Sequence, residues 1–166
     1  MQGVKPLGQS HRLSFPSPPP PIKKTVTNPQ KVAASHHLSN TPQDKVSADA
    51  ILNHHNPSMP KKRLTQFKKG LIPWEGRLDL HGLRVDAARE SLCDFIAYHF
   101  KISTRCLLII HGKGQDSEAP ILKNHVNHWL QQSPEVLAFH SALPKDGGSG
   151  ALYVLLKRHR PTVFLK

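Results

Sequence analysis

The spacing of apolar residues between positions 77 and 160 changes several times along the chain, and this limits the fold more than any other feature. Arg77–His81 alternates polar and apolar residues, as a strand does. Val85–Lys101 has apolar residues three and four apart, as a helix does. Arg105–Ile110 becomes continuously apolar, which is typical of a strand buried on both faces. The segment therefore predicts alternating strands and helices.

The rest of the segment continues this alternation. Pro120 marks the start of a second helix, and Pro134 prevents its continuation. Residues 136–142 and 151–157 predict two further strands. The order is βαβαββ, and because a βαβ crossover makes its strands parallel, the first three strands are expected to share a direction. The expected fold class is α/β, a two-layer sandwich.

The first 76 residues differ in composition from those that follow. They hold 11 of the 15 prolines, and 11 basic residues against three acidic ones. Their apolar residues have no period, so they cannot bury enough surface to offset the entropy of ordering. We therefore expect residues 1–76 to be a basic, mostly disordered extension that precedes a folded domain at residues 77–160.

One stretch within the extension predicts local structure. Residues 61–70 read Lys-Lys-Arg-Leu-Thr-Gln-Phe-Lys-Lys-Gly, a short basic helix that Gly70 stops. Leu64 and Phe67 lie three apart and could pack on the domain while the lysines face outward. This helix is either a basic clamp for phosphate groups or a solvated linker, and charge alone does not decide between them.

The charge of the chain indicates a polyanionic partner. With 23 lysines and arginines against 11 acidic residues, the formal charge is +12, so nucleic acid is expected first and an anionic surface second. No stretch approaches the roughly 18 apolar residues that a membrane-spanning helix needs, and we expect no membrane partner. The N-terminus has no apolar run typical of a secretory signal. Cys93 and Cys106 lie in apolar stretches, as reduced thiols do, so the cytoplasm is the expected compartment.

Three polar clusters interrupt the apolar elements. In the first, Leu-Asp-Leu-His-Gly at 78–82, strand alternation puts Asp79 and His81 on one face. The second, His-Gly-Lys-Gly at 111–114, follows the apolar run, and the third, Asp-Gly-Gly-Ser-Gly at 146–150, precedes the last strand. Ligands of open α/β sheets bind outside the carboxyl ends of the strands. We expect all three clusters to meet at that edge.

A site with this composition suits phosphodiester cleavage. Histidine side chains exchange protons near neutral pH. Asp79 could orient His81 or hold a cation, and Lys113 with the amides of the glycine loops can stabilise charge on a phosphate. Each cluster also has a purely structural explanation, because a histidine at a strand end often only hydrogen-bonds a loop carbonyl and glycines permit tight turns. The convergence of three clusters favours a functional site.

Other chemistries are less well supported. His111–Gly114 lacks the spacing and the terminal Lys-Ser/Thr pair of a P-loop. His125 and His128 lie three apart on the second predicted helix, but no third ligand has metal-site spacing. The chain has no Gly-x-Ser-x-Gly motif, which argues against an acyl hydrolase.

The three clusters resemble the motifs of the Smr (small MutS-related) family. Residues 78–82 resemble the Leu-Asp-Leu-His-Gly signature that opens Smr domains, and residues 109–114 resemble their central His-Gly-x-Gly motif. Residues 146–156 resemble their closing glycine-rich turn and last strand. Order and spacing match over residues 77–158. The chain is most similar to the short stand-alone bacterial members, in which a basic extension precedes one Smr domain.

The resemblance implies both a fold and an activity. The fold is expected to be similar to the C-terminal domain of bacterial translation initiation factor three. The activity is expected to be endonucleolytic, on DNA or RNA, including messenger RNA on stalled ribosomes in some members. Asp79 and His81 correspond to the family's proposed catalytic pair, and His111 belongs to the companion motif, which makes it the third catalytic candidate. The nucleic-acid contacts that we expect are Gly112, Lys113, Gly114, Lys145, Gly147, Gly148, Gly150 and Arg158.

Two hypotheses of different classes follow. The first is an endonuclease that selects nucleic-acid structure rather than sequence, with a divalent cation such as Mg²⁺ or Mn²⁺ as an open requirement. The second is a non-catalytic adaptor that binds nucleic acid or the ribosome, because the two histidine motifs supply only one carboxylate, Asp79. A protein-interaction module is a weaker third. Substitution of Asp79 or His81 separates the first two, since only the nuclease predicts lost cleavage with retained binding.

Overall fold

Strands from distant parts of the sequence form one five-stranded sheet. In a computed structural model, residues 38, 42, 45–114 and 120–160 are described. The elements are β1 (Asn53–His55), α1 (Lys61–Lys68), β2 (Gly76–Asp79), α2 (Val85–Lys101), β3 (Cys106–Ile110), α3 (Ile121–Gln132), β4 (Val136–Ser141), two 3-10 turns (Pro144–Asp146 and Gly148–Gly150) and β5 (Ala151–Leu156). The strand order across the sheet is β1-β4-β5-β3-β2.

Strand direction determines which loops meet. β2 and β3 are parallel, while β5 lies between β3 and β4 and is antiparallel to both. β4 therefore runs in the same direction as β2 and β3, which confirms the direction predicted for these three strands. Because β5 runs in the opposite direction, its first residue lies at the edge of the sheet where β2, β3 and β4 end.

The central strands are buried on both faces. In β3, Leu107 and Ile109 pack on one side of the sheet, while Cys106 and Leu108 pack on the other. All six residues of β5 are buried. A strand without polar alternation is stable only between two apolar layers, so the continuous run at residues 105–110 is confirmed as a central strand.

Two helices cover one face of the sheet. α2 spans the predicted range and buries Ala88, Leu92 and Ile96. α3 contributes Trp129 and Leu130, which are 0% and 1% exposed. Burying apolar side chains of this size contributes about 1.5–3 kcal/mol each. These helices and the sheet form the predicted two-layer sandwich.

The predicted basic helix covers the opposite face. α1 confirms that prediction, and it ends before Gly70, whose φ is +66°. Phe67 is 1% exposed and meets the ring of Tyr153 edge-on, with the ring centroids 6.4 Å apart. The side chain that faces inward therefore attaches the helix to the sheet, beneath a surface of lysines.

The predicted domain boundary at residue 77 lies too late in the chain. Asn53–His55 pairs antiparallel with β4, and His54 stacks on Phe139 at a centroid distance of 5.4 Å. Leu52 and Met59, which are 5% and 6% exposed, join the core. These apolar residues show no helical or strand periodicity in the sequence because each packs on the core singly. Most of residues 1–44, where disorder was predicted, lie outside the described part of the chain.

None of the described helices is long and apolar enough to span a membrane. Cys93 and Cys106 are both free thiols.

Candidate active site

The three predicted clusters meet at one edge of the sheet, which we call the histidine edge (residues 79–82, 111–114 and 144–150). The backbone N–H groups of His111 and Gly112 both donate to the carbonyl of Gly150, each at 3.0 Å. The N–H of Leu80 donates to the carbonyl of Ile110 at 2.7 Å. The clusters are therefore fixed to one another by backbone hydrogen bonds, as the strand directions require.

Asp79 and His81 form a bonded pair at this edge. The Nδ1 atom of His81 lies 2.5 Å from Oδ1 of Asp79, and the same oxygen accepts the backbone N–H of His81 at 3.1 Å. The side chain of His81 is 70% exposed and that of Asp79 is 37% exposed. Among the described residues, the Nε2 atom of His81 has no hydrogen-bond partner. The carboxylate thus orients the ring and leaves its other nitrogen available to solvent or substrate.

The charge state of Asp79 fits this orienting role. Partial burial acts to raise its pKa, but the hydrogen bonds from the ring and backbone of His81 lower it, as do the charges of His81 and Arg77. The lowering contributions prevail, so the pKa of Asp79 lies below its usual value. Asp79 is therefore ionised at neutral pH and can hold the proton of Nδ1 in place.

His111 has a different environment from His81. It is 3% exposed, and its Nδ1 atom donates to the carbonyl of Gly112 at 2.7 Å. Burial lowers its pKa to about 4, and the nearby charge of Lys123 acts in the same direction, while the hydrogen bond to Gly112 opposes them. The ring is neutral at neutral pH. Its Nε2 atom is buried and has no hydrogen-bond partner among the residues that the structure describes.

A cleft of about 620 Å³ opens beside the two histidines. It is lined by His81, Gly82, His111, Gly112, Lys113, Gly114, Pro120, Ile121, Leu122 and Lys123. The cleft is large enough for a nucleotide-sized group, and its wall combines backbone amides, two imidazoles and two lysines. Asp79 lies outside this lining and acts through His81.

Two glycines allow the loops to approach closely. A Cβ at Gly112, whose φ is +78°, would lie 3.4 Å from Cβ of His81. A Cβ at Gly150 would lie 3.2 Å from Cγ of Lys113 and 3.4 Å from the backbone of Gly112. Larger side chains at these positions would push the loops apart.

The closing turn is held by a buried tyrosine. The hydroxyl of Tyr153 donates to Oδ2 of Asp146. Burial raises the pKa of Tyr153 to about 12, and the bond to Asp146 acts in the same direction, so the phenol stays protonated and keeps donating. Lys145, Gly147 and Gly148 belong to this turn, which places them at the histidine edge but outside the lining of the cleft.

Arg158 does not belong to this site. It follows the last residue of β5, and because β5 begins at the histidine edge, Arg158 lies at the opposite edge of the sheet. Arg158 is therefore not brought together with His81 and His111, and its predicted contact with nucleic acid stays a prediction. It lines a separate depression with Arg63 and Arg105.

Sequence reasoning also missed Lys123. This residue of α3 is 0% exposed, and its Nζ atom donates to the carbonyls of Ala48 and Ala50 at 2.7 and 2.5 Å. Nothing in the sequence distinguishes it from a surface lysine, because its partners are backbone groups 73 to 75 residues away.

Within residues 45–114 and 120–160, no group of three His, Cys, Asp or Glu side chains is arranged to hold a metal ion. Asp79 and His81 are exposed side chains at this edge that could contribute ligands. The requirement for Mg²⁺ or Mn²⁺ stays a prediction.

Known proteins share these motifs and this fold. The family profile of the Smr domain matches residues 78–157. A Vibrio cholerae protein named ribosome rescue factor SmrB is 31% identical over 158 residues, which cover 94% of this chain and 82% of the relative. The chain belongs to the Smr family.

Two further Smr relatives carry the same name. The ribosome rescue factor SmrB of Escherichia coli O157:H7 is 33% identical over 82% of this chain and 72% of its own length. That of Aliivibrio fischeri strain MJ11 is 35% identical over 67% of this chain. The match spans only 60% of the length of the Aliivibrio fischeri relatives.

A solved Smr structure has the same architecture. The crystal structure of YdaL, a stand-alone small MutS-related protein from Escherichia coli, superposes with a TM-score of 0.66 at 32% identity. The alignment covers 75% of this chain and 96% of YdaL. This likeness confirms the mixed α/β fold and the similarity to stand-alone bacterial members.

Proposed function

We propose that this protein is an endonuclease that cleaves RNA at the ribosome, with His81 as the general base and Asp79 as the residue that orients it. The observation that carries the proposal is the 2.5 Å contact between Nδ1 of His81 and Asp79 on an exposed ring beside the cleft. A histidine bonded to a carboxylate through Nδ1 has a basic Nε2 that can take a proton from a nucleophile.

The nucleophile that this pair suits is the 2′-hydroxyl of RNA. Nε2 of His81 removes the hydroxyl proton, and the oxygen forms a bond to the adjacent phosphorus. The bond from phosphorus to the 5′-oxygen breaks, its electron pair stays on that oxygen, and a proton from water completes the leaving group. The resulting hydroxide takes the proton from His81. The products are a 2′,3′-cyclic phosphate and a 5′-hydroxyl end.

The remaining residues of the cleft bind the strand. Lys113 and Gly114 line the cleft and would stabilise the charge that develops on the phosphate. Lys145, on the neighbouring turn, would contact the next phosphates, beside Gly147 and Gly148. Because these groups would contact the phosphate backbone of the RNA and not the edges of its bases, the protein should select RNA structure rather than sequence.

The names of the relatives support the substrate class. Three relatives named ribosome rescue factor SmrB are 31–35% identical to this chain and match 67–94% of it. A protein that acts in ribosome rescue meets RNA rather than DNA, and does so in the cytoplasm. A formal charge of +12 favours binding to such a polyanion.

A non-catalytic, ribosome-binding adaptor is the second candidate. The relatives' name specifies rescue and does not mention cleavage. In this case the basic residues would supply salt-sensitive affinity, and the Asp79–His81 pair would only stabilise the end of β2.

The test is a cleavage assay with the full chain on labelled single-stranded RNA, on supercoiled DNA and on ribosome-bound RNA. Each substrate is incubated with Mg²⁺, with Mn²⁺ and with chelator. The matched variants are His81→Ala at the site and His55→Ala, an exposed histidine on β1. We expect wild type and His55→Ala to cut RNA and His81→Ala to bind it without cutting.

Other outcomes discriminate among the alternatives. If wild type binds ribosomes but leaves every RNA intact, the protein is the adaptor. A 2′-deoxy substitution before the cut bond should stop the reaction. If cutting continues and leaves a phosphate monoester, water is the nucleophile and the 2′-hydroxyl mechanism is wrong. Activity that chelator abolishes would show a requirement for Mg²⁺ or Mn²⁺.

A further inference from the structure

A second basic surface lies at the edge of the sheet opposite the histidines. It comprises Arg63 of α1, Arg105 just before β3 and Arg158 just after β5, and we call it the arginine edge. Two adjoining depressions, of about 370 and 540 Å³, share these three side chains. Lys157, His159 and Arg160 lie at the rims of one or the other.

The arginines of this edge are close together and poorly neutralised. Partial burial lowers the pKa of Arg105, and so do the charges of Arg63 and Arg158, while Glu75 acts in the opposite direction. The backbone N–H of Arg105 donates to Oε2 of Glu75 at 3.4 Å. In the described part of the chain, none of the three guanidinium groups forms an ion pair with a carboxylate.

Two of the guanidinium groups contain buried nitrogens that lack an acceptor. Nε of Arg63 and one terminal nitrogen, Nη1, of Arg105 are buried and have no hydrogen-bond partner within residues 45–114 and 120–160. A buried donor without an acceptor is destabilising, and more so when it is charged. These two nitrogens are closed to an anion as they are to water. An anion is indicated instead by the three guanidinium groups, which line the same depressions without an ion pair to a described carboxylate.

Phosphate is the anion that fits this geometry. Guanidinium groups match phosphate oxygens with paired, parallel hydrogen bonds, which lysine cannot form. The depressions are open rather than closed around a small ion, and Lys157, His159 and Arg160 add basic side chains to their lining. A strand that carries a phosphate on each successive residue suits such a surface better than a single small anion.

We propose that Arg63, Arg105 and Arg158 bind backbone phosphates of the RNA strand at a site separate from the cleavage cleft. The RNA strand would then contact both edges of the sheet. These edges are about 20 Å apart, since Arg105 and His111 lie six residues apart across β3. This inference rests on the proposed RNA substrate, but it concerns binding rather than cleavage.

The experiment measures RNA affinity as a function of salt. The probe is a fluorescent single-stranded RNA of about 12 nucleotides, in the range of site sizes of single-strand binders. It is titrated with the full chain carrying His81→Ala, so that no cutting interferes. On this background, Arg158→Gln and Arg63→Gln are compared with Lys62→Gln, which removes the same charge from an exposed neighbour outside both depressions. Arg158→Lys keeps the charge and loses the paired geometry.

We expect Arg158→Gln and Arg63→Gln each to weaken binding about fivefold or more and to reduce the slope of log affinity against log salt by about 0.7, the value for one lost phosphate contact. Arg158→Lys should recover the slope but only part of the affinity. Lys62→Gln should leave the slope unchanged. Circular dichroism spectra of all variants check that the fold is intact.

Three outcomes would overturn the proposal. Equal losses in Lys62→Gln and the arginine variants would show a diffuse charge effect. Unchanged RNA binding in both arginine variants would show that RNA does not use this edge. Loss of binding to anionic phospholipid vesicles, with RNA binding intact, would assign the surface to a membrane. Cleavage by the parent chain is scored separately, so a failed nuclease hypothesis and a failed arginine site remain distinguishable.

Discussion

The two edges of the sheet use different parts of the polypeptide. At the histidine edge, positive-φ glycines shape the backbone of loops that line a cleft beside two imidazoles. At the arginine edge, three long side chains provide the charge, and the one residue with positive φ is Ser103. Backbone amides hold fixed positions around a reacting atom, whereas long side chains can follow a strand. We infer that the first edge is suited to chemistry and the second to affinity.

β5 links the two edges. It starts next to Gly150, whose carbonyl holds the histidine loop, and it ends two residues before Arg158. All of its six residues are buried, so the two surfaces are connected through a strand that lies in the core along its whole length. The separation of chemistry from affinity can therefore be tested by substitutions at each end of one strand.

The largest expected effect is a crossed pattern of kinetic changes. His81→Ala should lower the rate at saturating RNA by about 10²–10⁴-fold, the usual contribution of a general base, and leave the dissociation constant within about twofold. Arg158→Gln should weaken binding and leave the saturating rate unchanged. Single-turnover cleavage at several RNA concentrations measures both quantities.

The double variant sharpens this comparison. Because the two sites lie about 20 Å apart by the rise of the strand, the effects of His81→Ala and Arg158→Gln should add within about 0.5 kcal/mol. If Arg158→Gln instead lowers the saturating rate, the two edges are coupled, and the division between chemistry and affinity fails.

The next effect is the dependence of stability on pH that His111 causes. The pKa of His111 is lowered to about 4 in the folded protein, while an unfolded chain titrates near 6.5. Between these values the unfolded state binds more protons, so stability falls as the pH falls. From pH 7 to pH 5 this residue should remove about 2 kcal/mol from the free energy of unfolding.

His111→Asn isolates that contribution. The amide nitrogen of Asn can replace the donor to the carbonyl of Gly112 but does not titrate. Urea unfolding at pH 7 and pH 5 should show a smaller loss in the variant than in wild type. His54, His99 and His125 also have lowered pKa values, so the difference between the two proteins is the quantity that counts. Equal losses would show that folded His111 is protonated at pH 5.

Most of the fold could be predicted because its apolar residues are periodic. α2 spans the predicted Val85–Lys101, and β3 and β5 lie within one residue of their predicted bounds. β1 could not be predicted, because Asn53–His55 has exposed side chains and no apolar or β-branched residue. It is a strand only because its backbone pairs with β4, which is a property of the tertiary structure.

The histidine edge could also be predicted from the sequence, whereas the arginine edge could not. Parallel strands bring their carboxyl ends together, so His81 and His111 were expected at one edge, and they lie there. The arginine edge joins residues from positions 63, 105 and 158, which no local pattern relates. The position of Arg158 was nevertheless derivable, since a strand that starts at one edge and rises about 3.3 Å per residue ends at the other.

A smaller effect is expected from closing the space at Gly150. The added methyl of Gly150→Ala would lie 3.2 Å from Cγ of Lys113 and 3.4 Å from the backbone of Gly112. We expect a loss of stability of about 1–2 kcal/mol and a lower cleavage rate, because the loop beside His81 must shift. Gly148→Ala is the control, since a Cβ there meets nothing within 4 Å although its φ is +57°. Equal cleavage rates in the two variants would show that loop contact does not matter for the reaction.

The smallest effect belongs to the arginine edge. α2 ends in a Schellman motif in which the N–H of Ser103 donates to the carbonyl of Phe100 at 3.1 Å and that of Thr104 to the carbonyl of His99 at 3.0 Å. Ser103 occupies the left-handed position of this motif with a φ of +62°, where glycine is favoured. Ser103→Gly should raise the free energy of unfolding by about 0.5 kcal/mol, since relief of backbone strain exceeds the added chain entropy of glycine. RNA affinity should not change, because the three guanidinium groups supply the binding at this edge. If the variant is no more stable but binds RNA more weakly, the Ser103 hydroxyl takes part in the binding site, and the arginine edge depends on more than its arginines.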